Sequence, residues 1–131
     1  MIVPFWPSRR CFCWPRLLRP LIVRRRGLDG RAGEDAVRKA PTCNAALKVA
    51  EACAYGASGD TGLTNIVLEK CEAGFSARMS KAERRVYDRG IKRCDEKYKN
   101  ESGTMYRSFS AFCRATLARD TAAKFAKVPR K

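Results

Sequence analysis

The stretch GTMYRSFSAFCRATLARD, residues 103–120, sets a cysteine in the middle of one helical face. Gly103 is typical of a loop, and Thr104 is the expected N-cap of the helix that follows. The next apolar residues have the spacing of a single helical face: Met105, Phe109, Phe112, Cys113 and Leu117. The pattern predicts a long helix ending near Ala126, with the cysteine on its inner side.

Three further segments with helical periodicity precede this one, at residues 42–55, 61–75 and 80–98. The predicted inner stripe of the second segment consists of Leu63, Ile66, Val67, Cys71 and Phe75. The predicted inner face of the third consists of Val86, Tyr87, Ile91, Cys94 and Tyr98. Ser80 and Glu83 have the S-x-x-E spacing of a capping box, which predicts where the third of these helices begins. No segment shows a convincing alternation of apolar and polar residues. The sequence therefore predicts an all-α fold, a small bundle of about four helices.

Local signals mark the ends and the packing of these helices. Thr42 is the expected N-cap of the first helix, and Asp60 or Thr61 that of the second. Gly90 lies inside the third helix, where glycine costs about 1 kcal/mol relative to alanine. Its presence indicates close packing against a neighbouring element.

Residues 1–41 differ in composition from the rest of the chain. Positions 1–26 hold seven arginines, four prolines and both tryptophans, and no acidic residue. They contain neither a good signal-peptide core nor a run of about 18 apolar residues that could span a membrane. We expect 1–41 to be a disordered leader or an upstream extension from a mis-assigned start, with 27–41 as a linker. A basic tail that contacts membrane or nucleic acid is the alternative. The folded domain is then expected at 42–126, followed by a basic tail at 127–131.

The charge balance narrows the functional classes. The chain has 131 residues, a formal net charge of +15 and no histidine. A strongly basic surface favours polyanionic partners. The absence of histidine removes Ser-His and Cys-His catalysis, and no glycine-rich phosphate loop is present. We expect no enzymatic activity, no cofactor and no metal.

Five cysteines fall on the predicted inner faces. Disulfides explain so many in a small domain better than free buried thiols do, although both remain alternatives. Metal binding is the third alternative, and it is disfavoured because the only close pair is Cys11 and Cys13, in the leader. The five disulfide candidates are Cys43, Cys53, Cys71, Cys94 and Cys113.

Helix geometry favours particular pairs. Cys94 and Cys113 lie at similar heights on an antiparallel hairpin, and a bridge there would contribute about 3 kcal/mol. The same test favours Cys43 with Cys71. Cys43 and Cys53 would stand about 15 Å apart in one continuous helix, too far for a disulfide unless the helix begins after Cys43. One of the five cysteines is left over.

Several of these segments together resemble the LprI-type lysozyme-inhibitor N-terminal family, a group of small helical proteins of the bacterial cell envelope. The resemblance covers about residues 42–125 and implies a helical fold, an oxidising compartment and a lysozyme-like muramidase as a partner. Cys71 is additional to the family pattern. The matching motifs are CNAALKVAEAC (43–53), Asp60 with Leu63, ERRVYDRGIKRC (83–94), and GTM (103–105) with Cys113.

Two functional hypotheses follow. The first, from the resemblance, is a periplasmic or secreted bacterial protein that binds or inhibits lysozyme, despite the lack of a clear signal peptide. Binding a basic lysozyme would need an acidic patch, for which the candidates are Asp88, Asp95, Glu96 and Glu101.

The alternative is a basic module that binds anionic envelope polymers, lipid or nucleic acid. Nucleic acid is disfavoured because no recognised binding signature is present. The candidate polyanion-binding residues crowd the third predicted helix: Arg84, Arg85, Arg89, Lys92 and Arg93.

Overall fold

The computed structural model describes residues 30–129, which form five α-helices and one short 3₁₀ helix. No strand occurs in this range, so the predicted all-α class is confirmed. The leader at 1–29 and the last two residues of the tail lie outside the described residues. The elements are α1 Gly30–Lys39, α2 Cys43–Ala52, α3 Asp60–Glu72, the 3₁₀ helix Ser76–Arg78, α4 Lys81–Lys97 and α5 Thr104–Ala126.

Helix α1 corrects the predicted linker at 27–41. Residues 30–39 are helical and pack against α2 and α3, and Val37 is fully buried in the core. The Lys70 side chain of α3 donates to the backbone carbonyls of Arg38 and Ala40 at 2.8 and 2.7 Å, which caps the C-terminal end of α1. Because α1 buries only one large apolar side chain, the sequence shows no apolar period there. The bundle therefore begins before Thr42.

Helices α2 and α3 form the best buried hairpin of the molecule. Thr42 is the N-cap of α2, as predicted, and its hydroxyl accepts the Ala45 N–H at 3.1 Å. The predicted inner stripe of α3 is correct along its whole length. Its buried members are Leu63, Ile66, Val67 and Cys71, followed by Phe75 just after the helix.

Asp60 is not the N-cap that the sequence suggested. Gly59 occupies that position, and Asp60 is the first residue of α3 and fully buried. Its carboxylate accepts the backbone N–H groups of Tyr55, Gly56 and Ala57 at 2.9, 2.8 and 3.2 Å. The carboxylate thus organises the loop between α2 and α3 instead of capping its own helix.

Helix α5 packs against α2, α3 and α4, and its predicted inner face is only partly correct. The residues buried on it are small: Ser108, Ala111, Ala115 and Ala118. They allow α3 to approach closely, whereas Met105 and Phe109 are 46% and 42% exposed. Its N-cap is Gly103 instead of Thr104. Periodicity favoured the large apolar residues, but the buried positions of α5 are occupied by three alanines and one serine.

Helix α4 packs against α5 and buries little of its own surface. The Ser80–Glu83 capping box is present at its start, with both reciprocal hydrogen bonds. Among its residues only Tyr87 and Cys94 are buried. A Cβ added at Gly90 would stand 2.6 Å from Leu117 Cδ2, which confirms the close packing indicated by this glycine.

Two disulfides join the hairpins. Cys43–Cys71 links α2 to α3 with a Cα–Cα distance of 4.8 Å, and Cys94–Cys113 links α4 to α5 at 5.6 Å. Both pairs are those that the hairpin geometry favoured. Cys53 is half-buried and belongs to neither bridge.

Candidate functional site

The predicted polyanion-binding residues lie along α4, and the structure divides them into two groups. Arg84 is half-buried and donates to the Ser76 carbonyl at 3.0 Å, so it fastens the start of α4 to the 3₁₀ helix. Lys92 is exposed and pairs with Glu96 at 3.7 Å, one turn further along α4. These two cations already have protein partners.

The remaining three form an exposed row that we call the arginine stripe: Arg85, Arg89 and Arg93. They are spaced four residues apart, so their Cα atoms follow one side of α4 at intervals of about 6 Å. Within residues 30–129 no carboxylate lies within ion-pair distance of any of the three. Since α4 carries seven Lys or Arg against four Asp or Glu, the stripe faces solvent with an excess of positive charge.

Two of the four acidic residues proposed for lysozyme binding already interact with cations of this chain. The Asp95 carboxylate accepts the Ser110 hydroxyl at 3.0 Å and lies 3.5 Å from the Arg114 guanidinium. Glu96 pairs with Lys92. The other two candidates, Asp88 and Glu101, are exposed and form no ion pair within residues 30–129.

An aromatic cluster lies at the end of α4 and the start of α5. The rings of Tyr98, Tyr106 and Phe109 are 5.8 to 6.1 Å apart, centroid to centroid. The Lys97 ammonium stands 5.2 Å from the Tyr98 ring centroid, a cation–π distance. The three rings therefore pack together at the end of the bundle where the basic helix α4 ends and α5 begins.

The carboxylate of Asp60 joins α3 to α5 as well as to its own loop. The Ser108 hydroxyl donates to it at 2.7 Å. Burial by itself raises the pKa of Asp60. The hydrogen bonds from the Ser108 hydroxyl and from the backbone amides of Tyr55, Gly56 and Ala57 outweigh burial and together hold the pKa below its usual value. These four hydrogen bonds connect the fully buried Asp60 to its loop and to α5, which is a role in the fold.

A cleft beside the 3₁₀ helix was not predicted from the sequence. Its walls include Val86, which periodicity assigned to the inner face of α4, and Val128, which follows the end of α5. The sequence signal that could have marked it is the run of apolar and small residues at 73–79, between two helices. Only the path of the chain after α3 brings these residues opposite the end of α5.

No helix among the described residues is long and apolar enough to cross a membrane. In the same part of the chain, no group of three or more Cys, Asp or Glu residues could hold a metal ion.

The comparisons with known proteins add no assignment: no family model, no curated protein and no solved structure matches this chain. The resemblance to LprI-type inhibitors therefore remains a proposal, carried by the motifs alone.

Proposed function

We propose that this chain is a non-enzymatic binding domain of the bacterial envelope, periplasmic or secreted, that holds anionic envelope polymers on α4. The single observation that carries the proposal is the arginine stripe. Three guanidinium groups lie in a row on an exposed helix face, and no described carboxylate neutralises them. A polymer with regularly spaced anionic groups could contact them in succession.

The chemistry of arginine supports this proposal. A guanidinium is always charged and presents paired donors that match phosphate and carboxylate oxygens. Each anionic group that the stripe neutralises releases counterions, which drives binding at low salt. The aromatic cluster beside Lys97 adds flat apolar surface at one end of the same helix.

The compartment is part of the proposal. Disulfides persist in oxidising environments such as the periplasm or the outside of the cell, and residues 30–129 contain Cys43–Cys71 and Cys94–Cys113. Their presence supports export of the chain and argues against a cytoplasmic nucleic-acid binder.

Lysozyme binding is the competing proposal, and it rests on the family resemblance. Of its four candidate carboxylates, Asp95 and Glu96 are engaged by neighbouring cations. A basic lysozyme would also meet a domain of the same sign, which slows encounter and weakens association. The exposed surface therefore favours an anionic partner.

The test is a salt titration that compares two triple variants of the full chain. Arg85→Gln, Arg89→Gln and Arg93→Gln together remove the stripe. The control replaces three exposed cations of α1 and α2 by Gln, with the same change in net charge: Arg31, Lys39 and Lys48. The probes are polyphosphate, phosphatidylglycerol vesicles, duplex DNA and a c-type lysozyme.

We expect polyphosphate affinity to fall linearly with the logarithm of salt concentration. The stripe variant should reduce the magnitude of that slope by about two to three, close to one for each lost contact, while the control keeps it. Equal slopes for both variants would contradict the assignment to α4. Tight lysozyme binding that is insensitive to salt, without polyphosphate binding, would support the competing proposal instead. Stripe-dependent binding to vesicles or DNA alone would reject the envelope polymer as the ligand.

A further inference from the structure

A cleft of about 1030 Å³ lies between the 3₁₀ helix, the first half of α4 and the end of α5. Its size is at the upper end of the range for small-molecule sites in proteins. We call it the apolar cleft. The residues that matter for its chemistry are Phe75, Arg78, Ala82, Val86, Lys124 and Val128.

The floor of the apolar cleft is aromatic and preformed. Phe75 is fully buried, with its ring edge-on to Tyr87 at 5.2 Å and stacked on Phe125 at 5.8 Å. The Tyr87 hydroxyl donates to a Glu72 carboxylate oxygen at 2.8 Å, so its one polar atom is already satisfied. Burial raises the pKa of Tyr87 well above its usual value, and the Glu72 hydrogen bond adds to the shift. The phenol therefore stays neutral. Phe75 and Tyr87 are almost entirely buried, so the aromatic surface that the cleft offers is that of the half-buried Phe125.

The walls expose apolar side chains. Val86 and Val128 both line the cleft and are 57% and 56% exposed; Val86 lies on α4, and Val128 follows the end of α5. Covering two such side chains removes apolar surface from water, which favours a ligand with a hydrocarbon body.

The charged groups around the cleft favour an anion. Glu83 accepts the backbone N–H of Ser80 at 2.8 Å, which commits its carboxylate to the capping box. Arg78 donates through one nitrogen to the Val128 carbonyl at 2.8 Å, and its guanidinium stands 5.7 Å from the Phe125 ring centroid. The Lys124 ammonium has no ion-pair partner within residues 30–129. A carboxylate placed at the rim would meet two cations.

We propose that the apolar cleft binds a long-chain fatty acid, with the hydrocarbon chain against Phe125, Val86 and Val128 and the carboxylate beside Lys124 and Arg78. The two other candidate occupants carry the wrong charge. The segment 1–26 has seven arginines and no acidic residue, and a second copy of the chain has a net charge of +15. Both would bring positive charge to a rim that is already positive, whereas a fatty acid combines the apolar body and the negative head.

The experiment titrates the full chain with palmitate below its micelle concentration and measures binding by calorimetry. Ala82→Trp places an indole in the cleft from the exposed start of α4. Ala123→Trp adds the same side chain on an exposed part of α5 that does not line the cleft. For the carboxylate, Lys124→Gln is compared with Lys127→Gln, which makes the same charge change outside the lining. Hexadecyltrimethylammonium, with a comparable tail and the opposite charge, completes the set.

We expect saturable one-to-one palmitate binding that Ala82→Trp weakens at least tenfold and Ala123→Trp leaves unchanged. Lys124→Gln should weaken it about threefold to fivefold, the size of one exposed ion pair, and Lys127→Gln should not. The cationic amphiphile should bind more weakly than palmitate.

Three outcomes would overturn the proposal. One is palmitate binding that Ala82→Trp leaves intact. Another is dimerisation of the chain that Ala82→Trp abolishes, which would assign the cleft to a second copy. The third is palmitate binding only by a chain shortened to begin at Gly27, which would assign the cleft to the leader.

Discussion

The α2–α3 hairpin and the α4–α5 hairpin are each closed by one disulfide, but different forces hold them. Helix α3 lies inside the bundle and contacts α1, α2 and α5, so its apolar stripe is buried on several sides. Helix α4 packs against α5 and buries only Tyr87 and Cys94. Burial therefore stabilises the first hairpin, whereas the second depends more on its covalent link.

This difference has a functional consequence. A helix that packs on one side leaves its other side open to solvent, and on α4 that side carries the arginine stripe. Because α4 buries little of its surface, the apolar cleft beside the first half of α4 is also open to solvent. The hairpin with less core is the one that offers surfaces for binding.

The largest expected effect comes from removing α1, which covers the well-buried hairpin. A chain that begins at Arg38 lacks Val37, whose burial contributes about 1.5–3 kcal/mol, and exposes the surfaces of α2 and α3 beneath it. We expect the melting temperature to fall by at least about 10 °C relative to a chain that begins at Gly27. Equal melting temperatures by circular dichroism would show that α1 contributes nothing to this hairpin.

The disulfides provide the direct test of the comparison. In the chain-entropy model, bridges with sequence separations of 28 and 19 contribute similar amounts, about 3.6 and 3.2 kcal/mol. The two double Cys→Ala variants should, however, lose hydrogen-exchange protection in different helices. Replacing Cys94 and Cys113 by Ala should remove hydrogen-exchange protection from α4 while α2 and α3 keep theirs.

The matching pair of replacements, Cys43→Ala with Cys71→Ala, should lower protection throughout residues 30–129. Cys71 is fully buried among core residues, so its loss affects the central contacts of α3. If both double variants lost protection in the same helices, the two hairpins would be one cooperative unit and the distinction would fail.

Asp60 should make the well-buried hairpin sensitive to acid. Its pKa in the folded protein lies below the ordinary value of 3.8, so its contribution is fully present above that value and is lost as the pH falls through the folded pKa. We expect Asp60→Asn to cost about 2 kcal/mol at pH 7, because charge-assisted hydrogen bonds to the loop amides are lost. In urea unfolding, the difference in free energy of unfolding between wild type and Asp60→Asn should become smaller below about pH 4. Asp88→Asn, at an exposed position of α4, serves as the control. A free-energy difference that does not change with pH would contradict the role assigned to Asp60.

The smallest effect concerns the contact between α4 and α5. Gly90→Ala gains helix propensity of about 1 kcal/mol but brings a methyl group against Leu117. Overpacking costs about 1–3 kcal/mol, so the net change should be a loss of about 1 kcal/mol. In a Leu117→Ala background the same substitution should stabilise by up to about 1 kcal/mol. A double-mutant cycle measures this coupling, and additivity would mean that the two side chains do not meet.

Sequence reasoning was most accurate where the signal was local or strictly periodic. The capping box at Ser80, the cap at Thr42 and the apolar stripe of α3 depend on residues three or four apart, and all three are present in the structure. The disulfide pairs followed from the same periodicity because a helical hairpin relates heights on its two arms in a simple way. The predictions failed where one element contributes few side chains, as in α1, or where small residues make the contact, as in α5.

By itself the sequence determined the helical class, the four helices from α2 to α5, which cysteine pairs are favoured, and the strongly basic character of α4. Those properties follow from the spacing of side chains along one chain and from covalent geometry. Only the tertiary structure decided that Val37 belongs to the core and that Asp60 holds a loop instead of capping a helix. It also decided which arginines of α4 have no carboxylate partner among residues 30–129, and that a cleft opens beside the 3₁₀ helix. The burial of Val37, the ion pairing of the arginines and the cleft depend on residues that are far apart in the sequence and close in space, and the spacing of residues along the chain does not show which distant groups will meet. The role of Asp60 depends on the path of a short loop, which residue spacing does not show either.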